Sequence, residues 1–204
     1  MNKFNLIVAE GHWNNYSNQT VKSLFDLLSD LLKSNAHSYK YVQFADPVGF
    51  DSCMRQIKDA DSHKYLYIGS HGDIDGIYGS HAASKLSFTS IKNRVKSVHG
   101  LYLGTCEFGH PYTLRKFVDE TKLTWCAGYK KEIDWLDSSA LDMAFWKIFQ
   151  GYNTRPGAKS EIKLIEKTVS DLKSKYSSLI LDLGFNIAIR RVDDDGDVVI
   201  ETAF

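Results

Sequence analysis

Charge of one sign is missing from this chain: 25 Lys and Arg stand against 25 Asp and Glu, a formal net charge of zero over 204 residues. Proteins that grip nucleic acid through its phosphates, or lie on an anionic membrane, usually carry a strong basic excess, so neither partner is expected. Cysteine is scarce. Cys53, Cys106 and Cys126 cannot all pair, and no C-x-x-C spacing occurs. A disulfide framework and a four-cysteine zinc site are therefore excluded. No apolar run approaches the roughly 20 residues that span a bilayer. The apolar stretch after Met1 is too short for a secretory signal, and the chain reads as cytosolic. No G-x-x-x-x-G-K-[ST] and no G-x-G-x-x-G is present, so no nucleotide cofactor is expected. The acidic run Asp193–Asp197 lacks the bidentate Glu of a calcium loop. Internal repeats, low-complexity tracts and long linkers are absent too, and residues 1–204 are expected to form one domain.

What is present is an ordinary globular composition, 43% hydrophobic and 25% charged. Strand and helix patterns alternate, the sign of a parallel sheet with helices on both faces. Strands are expected over Phe4–Ala9, Tyr39–Phe44, Tyr65–Ile68, Val98–Leu103 and Leu123–Ala127. An apolar stripe from Val21 to Leu32, with Asn18 as N-cap, predicts a helix. Weaker helical patterns cover Gly49–Ala60 and the segment starting at Pro111. Leu141, Ala144, Phe145 and Ile148 mark a strong helix, capped by Asp137 or Ser138. Ile162 to Tyr176 marks another, beyond a break at Arg155-Pro156-Gly157. Asp75-Gly76 signals a hairpin, and the tail from Phe185 to Ile200 reads as a second hairpin with an acidic tip.

His71 and Cys106 carry the chemistry. Each follows an expected strand at its carboxyl end among small residues, with about thirty residues between those strands, the length of a parallel crossover. If the strands adjoin, their ends lie ~5 Å apart, on the edge where α/β sheets collect catalytic groups. An imidazole within reach of a thiol can generate a thiolate nucleophile. The N–H groups of Gly72 and Cys106 would then form an oxyanion hole, with Gly104 and Gly109 giving a tight exit from the strand. The plainer alternative is a strand-end cysteine acting as a small buried hydrophobe beside a His-Gly turn.

The segments Tyr65–Gly72 (YLYIGSHG) and Leu101–Gly109 (LYLGTCEFG) resemble the His-Gly and strand-Cys motifs of caspase-like cysteine peptidases (clan CD). They are most similar to those of prokaryotic CHAT-type domains. Gly128–Trp135 (GYKKEIDW) resembles the strand-loop-helix that follows the nucleophile in these families. The resemblance covers roughly Phe4 to Gly151, and Thr105 stands where Ala is more usual. It implies a three-layer α/β sandwich with a mostly parallel sheet, a catalytic His71, a nucleophilic Cys106 and an oxyanion-hole Gly72. Acidic residues select Arg or Lys in basic-specific relatives, which points to Glu132 and Asp134, with Trp135 as a pocket wall, as substrate-binding residues. It also implies a protein or peptide substrate, control by a regulatory protein partner, and a role in bacterial antiviral defence.

Three rival readings stand beside it. The same fold could dock a partner without turnover. A metal could sit on His71, Cys106 and His110, although Pro111 starts a helix there. A receiver-like signalling domain would need strand-end acids, and only Glu10 and Asp46 offer them. No metal is expected.

Overall fold

The structure, a computed structural model, describes residues 6–13, 19–31, 39–58, 64–79, 85–95, 98–153, 160–192 and 198–204. In chain order the elements are β1 (Leu6–Gly11), α1 (Lys22–Leu31), β2 (Tyr39–Phe44), α2 (Pro47–Lys58), β3 (Tyr65–Gly69), β4 (His71–Asp73), β5 (Gly76–Tyr78), β6 (Leu86–Ser87), α3 (Phe88–Arg94), β7 (Gly100–Gly104), α4 (Pro111–Asp119), β8 (Trp125–Tyr129), α5 (Trp135–Asn153), α6 (Glu161–Leu183), β9 (Phe185–Val192) and β10 (Val198–Thr202).

Seven strands make one sheet in the order β10-β9-β8-β7-β3-β1-β2. The five from β2 to β8 run parallel, while β9 and β10 are antiparallel additions. Parallel strands are covered on both faces, so they read as near-continuous apolar runs, and their side chains alternate between two cores. Leu6, Val8, Tyr65, Tyr67, Tyr102 and Trp125 enter one core, against α1, α5 and α6. Ile7, Ala9, Leu66, Ile68, Leu101 and Cys126 enter the other, against α2, α3 and α4. The result is the three-layer α/β sandwich expected from the alternation of patterns. A small hairpin sheet, β4-β5-β6, stands beyond the end of β3.

Several local expectations need correcting. The cap of α5 is Asp134, whose Oδ1 accepts from the N–H groups of Leu136 (2.8 Å) and Asp137 (3.0 Å), so the helix starts before Asp137 and Ser138. The β4–β5 turn is Ile74-Asp75, with Asp73 paired to Gly76, so Gly76 is already strand. The strand expected over Leu123–Ala127 lies two residues later. The last helix runs to Leu183, with non-helical backbone at Tyr176, and ends on the left-handed Gly184. Asn18 and the acidic tip Asp193–Asp197 fall outside the described residues.

Candidate active site

The chain crosses from β1 to β2 on one side and returns to β3 on the other. This switch leaves a crevice above the carboxyl ends of β1 and β3, the usual ligand position in an open α/β sheet. Residues just past β1, β3 and β7 meet there. β3 and β7 are neighbours, with Gly69 opposite Gly104, so the two chemistry-bearing motifs leave the sheet side by side. Their backbones touch: a Cβ added at Gly72 would lie 2.7 Å from the carbonyl oxygen of Cys106 and 3.0 Å from Cβ of Thr105. Only glycine permits that approach.

The hairpin also fixes what Gly72 presents. Asp73 and Gly76 flank a two-residue turn and form a hydrogen-bonded pair, so alternation makes Gly72–Ile77 a non-hydrogen-bonded pair. The N–H of Gly72 therefore points off the outer edge of β4, away from β5. Among the described residues β4 is an edge strand.

His71 is half-buried. Its Nε2 lies 2.8 Å from the backbone carbonyl oxygen of Trp13, just past β1. A carbonyl only accepts, so Nε2 carries the hydrogen and the neutral ring keeps its lone pair on Nδ1. The imidazole is packed between the indole of Trp13, edge-on at 5.1 Å, and the ring of Tyr78, stacked at 5.7 Å.

Cys106 is half-buried and free of disulfide. Directly after it Glu107 stands at φ 55°, left-handed backbone that a glutamate seldom adopts. The N–H of Phe108 turns back to the Cys106 carbonyl at 2.5 Å. Such strain accumulates at functional sites. Burial pushes the thiol above its ordinary range; the backbone N–H of Ile133 works the other way, and the charges of Glu132 and Glu107 push it up further.

Both side chains line one cavity of about 180 Å³, together with Trp13, Tyr67, Trp135 and Asp142. Its lining includes a buried carboxyl group. Asp142, 4% exposed on α5, accepts hydrogen bonds from the hydroxyls of Tyr67 (2.7 Å), Tyr102 and Tyr129. Burial raises its carboxyl to about 6 against the pull of those three hydroxyls. Two of them bond Oδ1 and one bonds Oδ2, which leaves an acceptor position on Oδ2.

Of the expected substrate-binding residues, Trp135 lines the cavity and packs edge-on against Trp13 at 4.7 Å. Glu132 is exposed and outside the lining, yet its charge reaches the thiol. Asp134 is committed to capping α5. Cys126 is buried, and Cys53 donates to the carbonyl oxygen of Gln43. His12 is exposed, and His110 is the N-cap residue of α4 without a side-chain capping bond. Among the described residues no group of three His, Cys, Asp or Glu could hold a metal ion. Sequence reasoning missed Trp13 and Asp142. The signal for Asp142 was an acid inside the apolar stripe of its helix; Trp13 had none beyond its place after a strand.

No family model matches the chain, and no curated protein matches it. Among solved structures it is similar to a secreted C11 cysteine protease from Bacteroides thetaiotaomicron, "iotapain", with a TM-score of 0.52 at 11% identity over 93% of this chain. The likeness is one of fold. The caspase-like architecture expected from the His-Gly and strand-Cys motifs is the observed one. The chain spans 66% of the length of that protease. Among the described residues no helix is long and apolar enough to cross a membrane.

Proposed function

We propose that this chain is a cysteine endopeptidase, a single CHAT-type domain acting in the cytosol on a protein substrate. One observation carries the reading: the His71-Gly72 and Cys106 backbones touch at the mouth of a cavity that both side chains line. Nδ1 of His71 takes the thiol proton, and the Cys106 thiolate attacks the scissile carbonyl. The N–H groups of Gly72 and Cys106 hold the oxyanion. Nδ1–H then protonates the leaving amine as the C–N bond breaks, giving a thioester. Water hydrolyses the thioester, releasing the acid and restoring the thiol.

The cavity suits a cationic substrate side chain. Trp13 and Trp135 offer aromatic walls, Asp142 lies at the floor, and Glu132 and Glu107 stand near the thiol. A cation there offsets the charges of Glu132 and Glu107, which add to burial in raising the thiol, so a matching substrate promotes the thiolate it needs. Restraint of such an enzyme falls to a regulatory protein partner, in a bacterial defence or regulatory system. The raised thiol also favours a second reading, a caspase-like module that docks a partner without turnover.

A peptide library with Arg or Lys, or with Ala or Asp, before the cleaved bond separates the two. The first reading expects cleavage after basic residues, abolished in Cys106→Ala and reduced about 10²–10⁴-fold in His71→Ala. Cleavage surviving Cys106→Ala overturns it. No cleavage anywhere, with a stoichiometric complex instead, selects the second.

A further inference from the structure

The crevice holds a carboxyl group that the chemistry above leaves unused. Glu10, fully buried at the end of β1, accepts four hydrogen bonds. Its Oε1 takes the N–H groups of the Trp13 indole (2.5 Å) and the Val21 backbone (2.7 Å). Its Oε2 takes the hydroxyls of Thr20 (2.7 Å) and Tyr41. Burying an acid at a strand end is costly unless every lone pair is satisfied, and here the donors come from three segments. The bond to the indole has a consequence beyond satisfaction. It ties down the residue whose backbone carbonyl holds Nε2–H of His71 and whose ring edge packs on the imidazole. A second tie acts on the same loop, from His12 N–H to the Phe44 carbonyl at 3.0 Å.

We infer that Glu10 is a positioning residue for His71, acting through Trp13: by fixing the indole it aims the Trp13 carbonyl at Nε2, holds the ring in the tautomer with its lone pair on Nδ1, and so presents a base to the Cys106 thiol. The inference rests on the His71–Cys106 reading and adds a relay of two side chains to it. The ring nitrogen that bonds outward decides which nitrogen faces the reaction. Without the Glu10 tether the carbonyl wanders, both tautomers are populated, and the fraction with a basic Nδ1 falls.

The decisive pair is Trp13→Phe, which keeps an aromatic ring and the backbone carbonyl but removes the indole N–H with part of the ring, and Glu10→Ala, which leaves the indole whole and removes its acceptor. The readout is the rate at which iodoacetamide alkylates Cys106, followed by peptide mass spectrometry, because this reagent is small enough not to need the cavity walls. In the His71 background Trp13→Phe slows alkylation on the order of tenfold, a part of what a positioned base contributes. In a His71→Ala background the same substitution changes the rate less than about twofold, since the relay then has no terminus. The imidazole ¹⁵N shifts of His71 report the Nε2–H tautomer in the parent and a mixture in Trp13→Phe. Glu10→Gln, which retains an oxygen acceptor for the indole, keeps the parent rate within about threefold, whereas Glu10→Ala reproduces Trp13→Phe.

Equal slowing by Trp13→Phe in both backgrounds, or an unchanged tautomer with an unchanged rate, overturns the relay while leaving the dyad standing. If His71→Ala alone leaves the alkylation rate at its parent value, the dyad itself falls and the relay with it.

Discussion

Thr105, the residue before Cys106, is fully buried, and its hydroxyl has no hydrogen-bond partner among the described residues. An unsatisfied buried hydroxyl costs about 1–3 kcal/mol. Thr105→Val keeps the volume and removes that cost, so a gain of roughly 1 kcal/mol is expected in urea unfolding; a loss of stability would mean that the hydroxyl has a partner after all. At this scale the sequence was most informative where one residue does one thing next to a strand end. His71, Gly72 and Cys106 could be singled out because each sits where β3 or β7 releases the chain. Glu132, Asp134 and Trp135 were chosen from the same loop by charge and size alone, and the fold separates them. Trp135 turns inward, Asp134 bonds its own helix, and Glu132 stays exposed. No spacing rule distinguishes an acid that caps from one that binds.

At the scale of elements, boundaries moved at closely packed glycines. Propensity places Gly104 and Gly128 beyond their strands, yet both lie within β7 and β8. The neighbours explain it. A Cβ on Gly100 would lie 2.2 Å from Cε2 of Trp125, and one on Gly104 would lie 2.2 Å from the Tyr67 hydroxyl oxygen. At Gly100 and Gly104 aromatic side chains of the adjacent strands occupy the missing Cβ positions, and at Gly128 the backbone of Gly109 and the side chain of Leu103 crowd it instead. The end of α6 has a different cause. Gly184 stands at φ +61°, and its N–H returns to the carbonyls of Ile180 and Leu181, which stops the helix and starts β9. Gly184→Ala would strain the left-handed backbone and bring Cβ within 2.8 Å of Lys130 Cγ. The expected loss is about 1–2 kcal/mol, read from the denaturation midpoint; an unchanged midpoint would show that the turn relaxes without cost.

For the whole molecule, the buried Asp142 couples stability to pH. Its carboxyl rises from 3.8 to about 6, chiefly by desolvation, so the folded chain holds a proton there more tightly than the unfolded chain does. That contribution is complete below about pH 4 and is lost as pH rises through 6, on the order of 3 kcal/mol. Asp26, Asp51, Asp73 and Glu120 are shifted the other way by their cationic partners, and they favour the fold as pH rises. They are common to the parent and to Asp142→Asn and cancel in the difference. The variant should therefore gain on the parent between pH 4 and 6 and keep a constant difference above pH 7, measured by urea unfolding across that range. A difference that never changes with pH would show that Asp142 titrates normally.

The sequence by itself determined the alternation of strands and helices, the three-layer class of the fold, the C-terminal hairpin and the two strand ends that carry imidazole and thiol. Those are short-range properties, set by side-chain periodicity, β-branching and glycine within a few residues. Only the tertiary structure decided which nitrogen of His71 is left free and what lies at the bottom of the cavity. His71 meets the Trp13 carbonyl across 58 positions of chain, and Tyr67 meets Asp142 across 75. Contacts at that separation depend on strand order, which puts β1 and β7 on either side of β3 with α5 against β3 and β7, and no local pattern encodes that order.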